Sequence, residues 1–144
     1  MMTWNKSGDK LRVVFDTNVF IAGALKSGLV RELLHRSVRG ELNILTSQEI
    51  LQELQEKLSG KFHWDKKHID EFRAFLQSTS VVISVISKVT DIKKDPDDNK
   101  VLTCALDGKA HLIISSDRHL LKLKVWRGIA IVHPKTLSWM MPKQ

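Results

Sequence analysis

Short apolar runs alternate along this chain with segments whose apolar residues recur at helical spacing, and that alternation limits the fold more than any other feature. Residues 11–16, "LRVVFD", read as a first strand. In "GLVRELLHRSVR" at 28–39, Leu29, Val30, Leu33, Leu34 and Val38 share one helical face, and Gly40 closes the helix. "NILTS" at 43–47 is a short strand that runs into a helix reaching 58. A helical segment at 65–78 lines up Ile69, Phe72, Phe75 and Leu76, and "VVISVI" at 81–86 is rich in β-formers. "DPDDNK" at 95–100 opens a helix that ends near Gly108, and "HLIISSD" at 111–117 is again an apolar run. A weak helical turn, a strand at 129–132 and a last segment after Pro134 complete the pattern. Strands separated by helices are joined by crossovers, so an α/β fold follows: a mostly parallel central sheet with helices on both faces, in three layers. No linker or repeat divides the 144 residues, so residues 1–144 are expected to form one domain with its core at about 11–133.

Two of the apolar strands end in an acid. Asp16 follows "LRVVF" and Asp117 follows "HLIISS". Sites in parallel sheets lie beyond the carboxyl ends of the strands, so these two distant carboxylates are predicted to share one edge. Each has a plain alternative as a helix N-cap. Asp95 before Pro96 reads as an N-cap with proline at the first helical position, which gives Asp95 a structural task. At about 100° per residue, Val101, Leu102, Ala105 and Leu106 form an apolar stripe with Asp98 near its centre and Asp97 off it. Asp98 is therefore expected to point inward with no evident cationic partner, the setting of a functional carboxylate. In "TSQEILQELQEKL", Thr46 and Glu49 fit a capping box, and Glu53 with Lys57 fits a solvated i, i+4 pair. Glu53 is nonetheless the acid nearest the apolar stripe and could lean over the sheet edge.

Converging carboxylates repel one another unless protonated or neutralised by a cation. Oxygen ligands with retained water suit Mg²⁺ or Mn²⁺. None of His35, His63, His68, His111, His119 or His133 is spaced with a cysteine as a zinc site requires. The lone Cys104 forbids an internal disulfide and suits a reducing, cytoplasmic setting. Neither a signal peptide nor a span of about 20 apolar residues is evident. A net charge of +7 favours a polyanionic partner such as nucleic acid. Lys93, Lys94, Lys122 and Lys124 are candidate contacts for a phosphate backbone, with plain solvation as the alternative.

The pattern "VVFDTNVFIAGAL", "SQEILQEL", "DPDDNKVLTCAL" and "ISSD" resembles the PIN domain, the metal-dependent ribonuclease fold of many bacterial and archaeal toxin–antitoxin toxins (VapC-like), from Val13 to about Val132. The resemblance assigns Asp16, Glu53, Asp98 and Asp117 as catalytic and metal-holding acids, with Asn18 and Ser115 supporting them. Serine at 115 departs from the commoner threonine and keeps the hydroxyl. The implied activity is endonucleolytic hydrolysis of RNA with Mg²⁺ or Mn²⁺, and the implied partners are RNA, an antitoxin protein and a second copy of the chain. The competing expectation is an RNA-binding module without catalysis. Two other readings of "FDTN" fail. Aspartic proteases need D-T-G twice, and haloacid-type phosphatases need an acid where Asn18 stands.

Overall fold

A computed structural model describes residues 10–93 and 95–142. The first strand, β1 (Leu11–Phe15), is followed by α1 (Thr17–Leu25), α2 (Gly28–Val38), β2 (Leu42–Thr46), α3 (Gln48–Gly60) and α4 (Lys66–Thr79). Then come β3 (Val81–Val82), α5 (Asp98–Asp107), β4 (Leu112–Ile114), α6 (Arg118–Leu121), β5 (Val125–Trp126), β6 (Ile129–Val132) and α7 (Pro134–Met140). The strands form one sheet in the order β3-β2-β1-β4-β6-β5. All neighbours run parallel except β5, which pairs antiparallel with β6. This is the three-layer α/β architecture expected from the alternation. Among the described residues, no helix is long and apolar enough to cross a membrane.

The central strands are apolar on both faces because both faces are covered. Val13, Val14, Ile44, Leu45, Ile113 and Ile114 are all buried. Helix α5 packs across β1, β2 and β4, while α1 packs on α2 and α3. Helix α1 has no amphipathic stripe, since Val19, Phe20, Ile21 and Gly23 are all buried, and so periodicity does not reveal it. Gly23 is required by its contact with α2: a Cβ there would lie 2.8 Å from Val30 Cγ1.

Three local expectations are corrected. The apolar run 81–86 pairs with β2 only through Val81 and Val82. Beyond Ile83 the chain leaves the sheet, because the Asp107 carboxylate takes the backbone N–H groups of Ile86 at 2.8 Å and Ser87 at 2.9 Å. The N-cap of α3 is Ser47, whose Oγ accepts from Ile50 N at 3.2 Å, so the Thr46–Glu49 capping box does not form. Thr46 is the last residue of β2, and its buried hydroxyl has no partner among the described residues. Helix α5 begins at Asp98, not at Pro96; Asp95 caps the preceding turn instead, with Oδ1 accepting from Asp97 N at 3.1 Å. Strand β5, not foreshadowed by any apolar run, joins β6 through Arg127 and Gly128. Both have positive φ, at 49° and 81°, as a two-residue hairpin turn requires.

Candidate active site

The register of the sheet builds the site. Phe15 of β1 lies beside Ile114 of β4, so the next residues, Asp16 and Ser115, meet at the carboxyl edge. Asp16 N donates to Ile114 O at 2.9 Å, and Ser115 N donates to Val132 O at 3.0 Å, which extends the ladder by one residue on each strand. The buried Ser115 hydroxyl donates to Asp16 Oδ2 at 2.9 Å and accepts from Asp117 N at 2.9 Å. One hydroxyl thus fixes two of the acids. Helix α5 precedes β4 and runs back across the sheet, so its amino end reaches the same edge and delivers Asp98.

Among the described residues, Asp16, Asp98 and Asp117 each offer a carboxylate oxygen within 4.8 Å of the others. Asp16 and Asp98 are buried, and Asp117 is half-buried. The capping alternatives hold alongside this convergence. Asp117 Oδ1 accepts from His119 N at 2.8 Å, and Asp16 Oδ1 accepts from Asn18 N at a long 3.5 Å. Each carboxylate therefore caps with one oxygen and can serve the cluster with the other.

Asp98 carries the strain of the arrangement. It is 5% exposed, and its Oδ2 has no hydrogen-bond partner among the described residues. Burial, and then repulsion from Asp117, Asp95, Asp16 and Glu53, push its pKa up to about 7. Burial also raises Asp16 above the usual carboxylate range, opposed by the hydrogen bonds from Ser115 and Asn18 N and by the Lys57 charge. Crowded carboxylates with an unpartnered buried oxygen suit a hard divalent cation, which takes oxygen ligands and removes the repulsion.

Glu53 lies beside the trio but is not one of its members. The solvated-face alternative does not hold, since Glu53 is 6% exposed. Its carboxylate lies 3.3 Å from Lys57 Nζ and 3.6 Å from Lys100 Nζ. Lys100 also pairs with Asp97 at 2.8 Å. Asn18 is exposed, and its side-chain oxygen accepts from Lys57 Nζ at 3.4 Å, so Asn18 reaches Asp16 through its backbone and not its amide. Sequence reasoning missed Lys100 as a site residue. Its place two residues after Asp98 turns it about 200° around the helix, so spacing carries no signal of it. Lys93, Lys122 and Lys124 are exposed and form no ion pair with described residues. Lys94 lies outside the described residues.

Fold and site together define a parallel α/β domain with a carboxylate cluster at the carboxyl edge of its central strands. The chain matches the PIN domain over residues 12–119 and belongs to the PIN-domain family. It is 30% identical over 120 residues to the Uncharacterized protein MJ1680 of Methanocaldococcus jannaschii, an alignment covering 80% of this chain and 76% of that one. Its fold is similar to a chain in the crystal structure of VapBC2 from Rickettsia felis bound to a DNA fragment from their promoter. The TM-score is 0.63 at 14% identity, covering 84% of this chain and 97% of the other, so the likeness is one of fold.

Proposed function

We propose that this protein is a metal-dependent endoribonuclease that hydrolyses RNA phosphodiester bonds. The observation that carries the reading is the convergence of carboxylate oxygens of Asp16, Asp98 and Asp117 within 4.8 Å of one another, with Asp98 Oδ2 buried and unpartnered among the described residues. These three would hold Mg²⁺ or Mn²⁺, with Glu53 at the side. When bound, such an ion lowers the pKa of a water and withdraws charge from phosphoryl oxygens. The chain's own residues do the rest. The Ser115 hydrogen bond favours the charged form of Asp16 against the burial that raises its pKa, aims its carboxylate, and fixes the backbone of Asp117. Lys57 and Lys100 neutralise Glu53 and offer ammonium groups to the RNA backbone, which the acids alone would repel.

The PIN-family membership, together with a fold similar to a chain of the VapBC2 structure, supports a toxin role for the present chain. An antitoxin protein, a homodimeric state and a cytoplasmic setting belong to the same proposal. The test is to incubate purified protein with RNA in Mg²⁺, Mn²⁺ or chelator and to measure binding in parallel. Cleavage in metal, lost in chelator and lost in Asp98→Asn, supports the reading. RNA binding of equal strength in all conditions with no cleavage would instead support a binding module without catalysis.

A further inference from the structure

Beside the acids, between the amino-terminal half of α5 and the segment 85–90, lies a cleft of about 300 Å³. That is near the lower limit for small-ligand sites, about 300–1,000 Å³. It exists because the segment after β3 leaves the sheet yet is tied back to α5 at two points. Asp107 holds Ile86 and Ser87, and the Asn99 side chain exchanges two hydrogen bonds with the backbone of Ile92, at 2.8 and 2.7 Å. The chain bows away from the helix between these ties.

We propose that this cleft seats one unpaired nucleobase of a single-stranded RNA whose adjoining phosphate lies between Lys88 and Lys100. The proposal rests on the RNA-hydrolase reading and names a substrate subsite for it. Polar groups on the walls are mostly engaged internally. Asn99 is tied to Ile92, Thr103 Oγ1 donates to Asn99 O at 2.7 Å, and the Ser87 hydroxyl is bound to Asp107. What remains for a ligand is mainly the apolar surface of Val85 and Pro96, backed by the buried Val89, which suits the face of a flat ring. The charged groups on the walls are Lys88 and Glu49, which form no ion pair with described residues, and Lys100, which is paired with Asp97 and Glu53. Lys100 joins the cleft to the catalytic edge, since its ammonium also touches Glu53 and Asp97. A ligand that spans both needs a flat ring on one side and an anion on the other, as a nucleotide has. Glu49 repels a phosphate but can accept an N–H from a base amino group, so the base enters and its phosphate stays at the lysines. A base paired within a duplex cannot enter, which restricts the occupant to a single strand.

The test uses the full chain carrying Asp98→Asn, to suppress hydrolysis, and a labelled RNA tetranucleotide scanned with abasic substitutions. One position should lose about tenfold in affinity, as expected for a stacked base, and the others should lose much less. A 4-thiouridine at that position should cross-link to residues 85–90. Adding Lys88→Ala should lower the slope of log affinity against log salt by about 0.7. Equal losses at every position, or cross-links confined to other segments, would overturn the subsite. If the wild type still cuts RNA with metal, the nuclease reading survives that result. Absence of both RNA binding and metal-dependent cleavage would overturn both.

Discussion

Replacing Asp98 by Asn is expected to stabilise the metal-free protein at pH 8 and to change little near pH 4. The Asp98 pKa is about 7 in the folded protein against 3.8 for the free side chain. Between those values the folded state holds a proton that the unfolded chain has released, so stability falls as pH rises through the window. Below it both states are protonated; above it both are ionised and the full deficit remains. About three pK units correspond to roughly 4 kcal/mol at about 1.36 kcal/mol per unit, which is an unscreened ceiling. Asp117, the main repelling neighbour, is half-buried, and water and counterions reaching it screen the repulsion and reduce the expected effect to about 1–2 kcal/mol. For a chain of this length that is about 3–8 °C in Tm. The amide keeps the shape of the side chain and can donate an N–H to the neighbouring carboxylates. Thermal melts of both proteins in chelator from pH 4 to pH 8 provide the test. Mg²⁺ or Mn²⁺ should then raise the wild-type Tm far more than that of the variant, and less strongly below pH 7, where protons compete for Asp98. Melting curves that stay parallel across this pH range, with equal responses to metal, would refute the clustered-carboxylate account.

Asp16→Asn should stabilise the metal-free protein less than Asp98→Asn does, because Ser115 and Asn18 N already favour the charged form of Asp16. Ser115→Ala removes a hydrogen bond to a buried carboxylate and should cost about 1.5–3 kcal/mol in chemical denaturation. The same variant should move metal binding to higher pH in calorimetric titrations, because that hydrogen bond lowers the Asp16 pKa. Glu53→Gln, which leaves Lys57 and Lys100 without their shared anion, should weaken metal-supported cleavage, whereas Glu56→Gln on the exposed face of α3 should match wild type in the same assay. Ser47→Ala should cost about 1 kcal/mol as a lost N-cap, and Thr46→Val should be neutral or stabilising, an order opposite to that of the capping box; equilibrium unfolding of both variants distinguishes the two caps.

Asp16, Asp98 and Asp117 could be singled out from sequence because each sits at a break between two local patterns. Asp16 and Asp117 end buried strands, and Asp98 lies on the apolar stripe of a helix that otherwise buries only hydrophobic and small groups. Hydrophobic periodicity reports which residues face inward, so it exposes an acid that faces inward too. The parallel sheet was legible for the same reason, since alternating periods leave few ways to connect the strands. Local choices between near-equivalent groups were not legible. Thr46 and Ser47 offer the same hydroxyl, and only the point where β2 stops pairing decides which one caps α3. The run 81–86 has the composition of a strand throughout, yet a carboxylate from α5, distant in sequence, draws its second half off the sheet. Glu53 with Lys57 has the spacing of a solvated pair, and burial under the neighbouring helices turns it into part of the site's edge. Lys100 joins that edge only because α5 crosses β1 and β4 with its amino end beside Glu53. Spacing along one helix or strand is a local property written in the chain; the distance between side chains on different elements is set by how those elements pack, and only the tertiary structure decides it.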